Sequence, residues 1–211
     1  IRGDVSGKAA TYWYQGNLLV ATQGAPPTRV ASAEGVALMR YTRRTDGGWD
    51  SRMDEVGYYL DPASLEVASE LRNPITGRTI RPKHYRSSQA FTLTPAGDMV
   101  VAQPVPSGTV LQLRVSEPQL QVSDIIVRED ILVTIPPDKA KASPQRSIGS
   151  FTVHRARRAD VMDEGLTSVP CSYHFQNLET PAAWLEFSDG FFGYQMWQAW
   201  GTKVPRLDDV P

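Results

Sequence analysis

The sequence predicts an all-β protein: one antiparallel, barrel-like domain of the calycin (lipocalin-like) kind over residues 1–211, with little helix. Three observations favour this class. Short segments of alternating apolar and polar residues recur along the chain, separated by turn-forming residues roughly every dozen positions. Helical periodicity is confined to one turn around residues 160–164. The 211 residues are 41% hydrophobic, which suffices for one substantial core.

The N-terminal half is predicted to consist of strands joined by tight turns. Gln15-Gly16-Asn17 separates two apolar segments and predicts a hairpin, and a loop is expected at Asp46-Gly47-Gly48. The turn over residues 73–77 ends in Gly77, which is free to adopt positive φ. Pro82 lacks a backbone donor and indicates an edge or a bulge. Strands are therefore expected over residues 11–14, 18–21, 33–41, 53–60, 65–71 and 79–85.

The C-terminal half continues the same pattern. Strands are expected over residues 91–93, 99–101, 111–115, 125–135, 150–155, 172–178 and 190–200, with a hairpin turn at 95–98. The segment from Pro136 to Ser147 is rich in Pro, Lys and Ala and has no apolar face, which is typical of an exposed, mobile loop. A closed barrel of roughly eight to ten strands would remove exposed edges and leave room for one small ligand.

Composition and missing motifs exclude several classes of function. The formal net charge of -1 gives no field that would attract nucleic acid. No apolar run is long enough for membrane insertion. Cys171 is the sole cysteine, so it is expected to be a small buried hydrophobe rather than part of a disulfide or zinc cluster. Phosphate-binding glycine loops, a G-x-S-x-G elbow and H-E-x-x-H spacing are missing, so we expect no cofactor and no metal.

The first residue, Ile1, is not a methionine. We therefore expect that an N-terminal piece has been cleaved or trimmed or is not included in this sequence, and a lost export signal is one explanation. The cytoplasm and the periplasm both stay open as locations.

Several short segments are distinctive as a set. They are Arg2-Gly3-Asp4, Tyr12 to Gly16, Glu34-Gly35 ahead of Arg40, Tyr59 to Pro62, Asn73 to Gly77, His84, Pro181 to Trp184, Gly190, and Gly201 to Lys203. Together they resemble, nearly end to end, a mainly bacterial family known as the domain of unknown function number eighteen thirty-eight. Leu71-Arg72 and Ala183 to Glu186 depart from its pattern. The resemblance implies one domain and brings no established reaction.

Three histidines are candidate general bases, because imidazole titrates near neutral pH. The parity of its predicted strand points His84 inward, with Pro82, and points Tyr85 to the opposite face. His84 is then either a base or a core histidine bonded to the backbone. His154 stands among arginines, which predicts a solvated strand end. His174 lies on a polar face that is either the outside of the barrel or a polar pocket lining.

Two further pairs suggest a site. Glu34 and Arg40 are six residues apart in one strand and therefore share a face. They are either a general base with an oxyanion clamp or a structural, solvent-facing pair. Tyr12 and Tyr14 also share a face, which predicts either an aromatic core or phenolic donors directed at a ligand.

The first functional hypothesis is a cofactor-independent lyase or isomerase that transfers a proton on a small hydrophobic, aromatic or polycyclic molecule. His84 or Glu34 would be the base, and Tyr14 or Tyr12 with Arg40 would stabilise the oxyanion. The substrate-binding residues are predicted to be Tyr12, Tyr58, His174, Trp184 and Trp197.

Two alternatives remain beside the enzyme. One is a non-catalytic protein that binds a hydrophobic ligand. The other is a structural module that forms a homodimer or larger homo-oligomer through the aromatic segment from Phe191 to Trp200. A base and a hydroxyl that converge in one cavity would favour the enzyme.

Overall fold

The computed structural model describes residues 3–96, 99–103, 110–135, 146–188 and 190–210. Its strands are β1 (Ala10–Thr22), β2 (Thr28–Arg43), β3 (Trp49–Leu60), β4 (Leu71–Arg72), β5 (Thr79–Ile80), β6 (Tyr85–Ala96), β7 (Met99–Gln103), β8 (Val110–Val115), β9 (Gln119–Leu120), β10 (Asp124–Ile135), β11 (Arg146–Arg157), β12 (Ser172–Glu179) and β13 (Gly193–Val204). The described helices are α1 (Arg158–Val161) and the 3-10 turns Ala183–Leu185 and Leu207–Asp209. None of them is long and apolar enough to cross a bilayer.

Ten strands close into an antiparallel barrel, which confirms the all-β, barrel-like class. The strand order around the ring is β1-β2-β3-β6-β7-β8-β10-β11-β12-β13, and β13 pairs with β1 to close it. Every barrel strand therefore pairs with its neighbours in chain order. The short β4–β5 pair forms a separate sheet, and β9 pairs with one end of β10. Ten strands give a wider interior than the eight of a lipocalin barrel.

One end of the barrel is filled by a core of tightly buried side chains, here called the packed end. Leu18, Val20 and Leu185 are 0% exposed and pack together there, beside the β4–β5 pair. Asn73, in the turn between β4 and β5, is also 0% exposed. Its Nδ2 donates to the Leu185 carbonyl oxygen at 2.7 Å, and its Oδ1 accepts two backbone N–H groups from the turn. This side chain therefore fastens the β4–β5 turn to the 3-10 turn.

The opposite end has a smaller core. Ala10, Tyr12, Ala37, Ala156 and Cys171 pack together there. The predicted burial of Cys171 is confirmed, and this burial raises the pKa of its thiol.

The hairpin predicted at Gln15-Gly16-Asn17 is wrong, because β1 continues without a break through these residues. Gly16 faces the backbone of β13, where a Cβ would collide with the carbonyl oxygen of Gln198. The glycine permits two strands to approach closely and does not form a turn.

The predicted strands over 65–71 and 79–85 are mostly wrong. Regular pairing there is limited to β4 and β5, and the chain between Ile80 and Tyr85 is unpaired around Pro82. The predicted turns at 46–48 and 73–77 are confirmed, with Gly47 and Gly77 at positive φ.

Three other predictions are confirmed only in part or fall partly outside the described residues. The predicted helical turn at 160–164 overlaps α1 at residues 160 and 161, and α1 begins two residues earlier. Of the predicted loop 136–147, residues 136–145 lie outside the described chain, whereas 146 and 147 already belong to β11. In the predicted turn at 95–98, residues 97 and 98 lie outside it too, and β6 extends through residue 96.

Candidate functional site

The interior of the barrel holds a cavity of about 870 Å³, partly open to solvent, beside the packed end. Its lining comes from alternate residues of the strands, as expected for the inner face of a barrel. Tyr12 and Tyr14 face it from β1, and Met53 and Glu55 face it from β3. A cavity of this size accommodates a small organic ligand.

A row of tyrosines and glycines crosses the cavity wall, and we call it the tyrosine–glycine row. It follows the register of six neighbouring strands, β12, β13, β1, β2, β3 and β6, through Tyr173, Gly201, Tyr14, Gly35, Gly57 and Tyr85. A Cβ on Gly35 would collide with the Tyr14 hydroxyl, and one on Gly57 would collide with the Tyr85 ring. The rings therefore lie over the neighbouring strand, in space that a side chain would otherwise fill.

The hydroxyl of Tyr14 is a buried donor without a partner. Tyr14 is 5% exposed, and its hydroxyl makes no hydrogen bond to any residue that the structure describes. Buried tyrosine hydroxyls almost always have such a partner. Tyr14 lines the cavity, so this unbonded hydroxyl is the candidate hydrogen-bond donor of the wall.

Glu55 is the acidic group of this wall. Glu55 lies on β3 two residues before Gly57 and is therefore the next residue on the same inward face. Its Oε1 accepts a hydrogen bond from the Tyr85 hydroxyl at 3.3 Å. Burial raises the pKa of Glu55 from 4.5 to about 7. At neutral pH the carboxyl group is thus present in both forms, so it can accept a proton and also return one.

The neighbouring tyrosines stay protonated at neutral pH. Burial raises the pKa of Tyr85, and burial together with the charges of Glu55 and Tyr85 raises the pKa of Tyr173. Both phenols can therefore donate hydrogen bonds around Glu55, and neither can serve as a base there.

Next to this polar wall lies a cluster of aromatic rings. The Tyr59 ring centroid is 4.9 Å from that of Trp184, 5.8 Å from that of Trp197 and 6.2 Å from that of Tyr85. Burial, with a smaller effect of Glu179, raises the pKa of Tyr59 to about 12. The cluster presents an apolar surface on which a planar ligand could stack.

Of the four predicted catalytic residues, the structure brings two to the cavity. Tyr14 and His84 line it. The Nδ1 of His84 accepts the backbone N–H of Tyr59 at 3.1 Å, so in the neutral ring Nε2 carries the proton. His84 thus presents a donor, and a role for it as a base would need Nε2 to lose its proton.

Glu34 and Arg40 do not reach the cavity, which corrects the prediction of a base and an oxyanion clamp on that face. Inward positions on β2 are odd-numbered, as Ala37 and Met39 show. Glu34 instead accepts a hydrogen bond from Trp13 Nε1 at 2.9 Å, and Arg40 is exposed. Their shared face is the outer wall of the barrel.

The predicted substrate-binding residues divide in the same way. Tyr12, Trp184 and Trp197 line the cavity. Tyr58 and His174 face outward, which corrects their predicted position: Tyr58 is 46% exposed, and the His174 ring meets that of Phe151 on the outer wall. The polar face that carries His174 is therefore the outside of the barrel.

Sequence reasoning missed Glu55, Tyr85, Tyr173 and His154. Tyr85 was expected to face away from His84, but strand pairing stops after Ile80 and resumes at Tyr85, so both line the cavity. His154 was expected at a solvated strand end and is 4% exposed, because alternation sends its arginine neighbours outward. A search for tyrosines opposite glycines could have found two of the four. Nothing in the local pattern distinguishes Glu55 from its exposed neighbours.

The predicted oligomer segment exposes large side chains. Phe192 is 79%, Trp200 46% and Tyr194 37% exposed. Homo-oligomer formation through this segment stays a prediction.

Comparison with known proteins finds a family model that is similar to part of the chain. Residues 7–107 match the family model described as Protein of unknown function (DUF1838). The resemblance predicted from the sequence is thus confirmed over β1 to β7. The stretch similar to DUF1838 contains Tyr14, Glu55 and Tyr85, whereas Tyr173 and His154 follow it. No curated protein and no solved structure gives a significant match to the chain.

Proposed function

We propose that this protein is a cofactor-independent enzyme of the lyase or isomerase type that transfers a proton on a small hydrophobic carbonyl compound, with Glu55 as general base and Tyr14 as oxyanion donor. The observation that carries the proposal is the meeting of these two groups in one cavity. The Tyr14 hydroxyl lies over Gly35, the residue opposite Gly57, and Glu55 is the next inward residue from Gly57. A base and a hydrogen-bond donor on neighbouring positions are what enolisation needs.

The reaction follows from these positions. The Glu55 carboxylate removes a proton from the carbon next to the carbonyl group, the C–H electron pair forms a C=C bond, and the π pair of the carbonyl group moves onto its oxygen. Tyr14 donates a hydrogen bond to that oxygen as its negative charge develops, without another acceptor in the described residues to compete. The Glu55 carboxylic acid then returns the proton to the same carbon, to a conjugated carbon or to a leaving group.

The surroundings support this role for Glu55. The Tyr85 hydroxyl bonds to its Oε1 and fixes the carboxyl group against the wall. A pKa of about 7 makes the carboxylate a stronger base than an exposed glutamate while leaving it partly ionised at neutral pH. The ring cluster of Tyr59, Trp184 and Trp197 favours a planar aromatic or polycyclic substrate.

The test uses racemic 2-methyl-1-tetralone, a bicyclic ketone with one exchangeable carbon-bound hydrogen beside its carbonyl. Deuterium incorporation in D₂O is followed by mass spectrometry. Wild type should accelerate the exchange, Glu55→Gln should slow it by roughly 10²–10⁴-fold, and Tyr14→Phe should slow it by roughly 10²-fold or more. Glu34→Gln, which alters a carboxylate on the outer wall, should retain the wild-type rate.

A carrier would behave differently, because it needs a cavity but no base. Fluorescence titration with 2-naphthol, a planar phenol, reports on binding alone. Binding of 2-naphthol without any enzyme-dependent exchange would favour the carrier, and exchange that survives in Glu55→Gln would remove Glu55 from the mechanism.

A further inference from the structure

The wall opposite Glu55 carries a second titratable group. In the ring of ten strands, β3 and β11 are separated by four strands in either direction: β6, β7, β8 and β10 on one side, and β2, β1, β13 and β12 on the other. The inward residues of these two strands therefore face each other across the barrel. Glu55 lies on β3, and His154 lines the same cavity from β11.

His154 is a buried histidine whose ring makes no hydrogen bond among the described residues. It is 4% exposed, and neither ring nitrogen forms a hydrogen bond with any residue in the described part of the chain. Its Nε2 lies 3.5 Å from Oε2 of Glu129, a carboxylate that is itself 5% exposed. Buried polar groups are usually hydrogen-bonded, so two unbonded ring nitrogens on a residue that lines the cavity are evidence for a ligand at this wall.

Tyr173 connects the two walls. Its ring centroid is 6.2 Å from that of His154, with which it pairs across β11 and β12. The charge of Glu55 also acts on the Tyr173 phenol, which places that phenol within electrostatic range of the opposite wall. A ligand bound between β3 and β11 would therefore have Glu55 on one side and His154 on the other, with Tyr173 next to His154.

We infer that His154 is a second acid–base residue of this site, held by Glu129, which protonates the substrate on the face opposite to the one that Glu55 deprotonates. The inference rests on the proposed function, and it specifies a two-base reaction. Such a reaction either inverts the configuration of one carbon or isomerises the substrate by adding the proton to the face of the planar intermediate opposite to the one that lost it.

The proton and electron balance is simple. Glu55 takes the proton, the C–H bond breaks, and the electron pair moves to the oxygen held by Tyr14. The imidazolium of His154 then gives its N–H proton to the opposite face, the new C–H bond forms, and the electron pair returns from the oxygen. Glu55 is left protonated and His154 neutral, and exchange with water restores both. The Glu129 carboxylate stabilises the imidazolium by its charge.

The first test asks whether His154 meets a ligand, whatever the reaction. Carbon–proton correlation spectra of protein labelled in its histidine rings are recorded during titration with 2-naphthol, and the spectrum of His154→Gln identifies the His154 resonance. The His154 resonance should move with saturation, while that of His174, on the outer wall, should not. An unmoved His154 resonance at saturating 2-naphthol would overturn the inference.

The second test separates the two bases by stereochemistry. Single enantiomers of 2-methyl-1-tetralone are incubated in D₂O, and both deuterium content and enantiomeric composition are measured. In wild type, deuterium incorporation should accompany inversion. In His154→Gln, inversion should fall by on the order of 10²-fold, while the enantiomer that presents its hydrogen to Glu55 still exchanges with retention. A Glu129→Gln variant should reduce inversion to a smaller extent.

The outcomes distinguish this inference from the proposed function. Inversion that is undiminished in His154→Gln would overturn the two-base reaction and leave Glu55 as the base. A second outcome would also overturn the two-base reaction. In it, Glu55→Gln loses exchange, whereas His154→Gln keeps the wild-type rate and stereochemistry. A wild-type protein that neither exchanges nor inverts either enantiomer would remove both proposals together.

Discussion

The packed end and the hollow middle of the barrel treat buried polar groups in opposite ways. At the packed end, fully buried Asn73 uses both atoms of its amide, with bonds of 2.7–3.1 Å to Leu185, Ile75 and Thr76. In the middle, the Tyr14 hydroxyl and both His154 nitrogens lack hydrogen bonds among the described residues. Unpaired buried groups cost stability. The packed end therefore maintains the fold, whereas the unbonded groups of the middle lower stability and coincide with the proposed ligand site.

The largest effect on stability is expected at the packed end. Leu185→Ala removes a side chain that is 0% exposed and opens a void between the 3-10 turn and the β4–β5 pair. The free energy of unfolding should fall by ~2–5 kcal/mol, measured by urea denaturation. Leu178→Ala, at a position 44% exposed on the outer wall, is the matched control and should cost far less. Equal losses in the two variants would contradict a distinct packed end.

In the middle of the barrel, a substitution at Glu55 should raise the stability of the protein rather than lower it. The pKa of Glu55 is higher in the folded protein, about 7, than the ordinary 4.5, so the folded state retains a proton that the unfolded state loses as pH rises through this interval. Wild-type stability should therefore decline between pH 4.5 and 7. Glu55→Gln cannot ionise. Its free energy of unfolding should therefore be up to ~3 kcal/mol higher than that of wild type at pH 8 and nearly equal to it at pH 4. Denaturation at both pH values checks the prediction, and a destabilised variant at pH 8 would refute it.

A smaller effect is expected from the tyrosine–glycine row. In Gly57→Ala the new methyl group would collide with the Tyr85 ring and push it into the cavity. The unfolding free energy should fall by ~1–3 kcal/mol, and the affinity for 2-naphthol should fall as well. Gly149→Ala is the control in another strand, because a Cβ there meets nothing within 4 Å. If both variants bind 2-naphthol as wild type does, the row does not shape the cavity.

The sequence predicted the class of fold better than the position of the site. Alternation identified β2, β3, β8, β10, β11, β12 and β13, because each of these strands has one face in water and one face in the barrel. The sequence pattern was misleading at Gly16, because a glycine that permits two strands to pack closely was interpreted as part of a turn. It failed again at Tyr85, because parity does not carry across an unpaired gap.

The errors in the site have a common cause. A hollow barrel has polar residues on both faces, so alternation shows that two faces exist without showing which is inside. Glu34 and Glu55 are both glutamates in strands, and Val56 beside Glu55 is 40% exposed. Only the pairing of strands across the whole ring places Glu55 inside and Glu34 outside. That information is distributed over many residues distant in the chain.

If the cavity binds a ligand as proposed, the tyrosine–glycine row determines how the shape of that cavity could change. Each ring is attached to one strand and rests on the bare backbone of the next, so the width of the chamber depends on side chains that are missing. One added methyl group at Gly57, where the three atoms nearest to a Cβ all belong to the Tyr85 side chain, would tilt that ring inward and narrow the chamber locally. Single substitutions could then change the shape of the cavity, while the packed end continues to stabilise the fold.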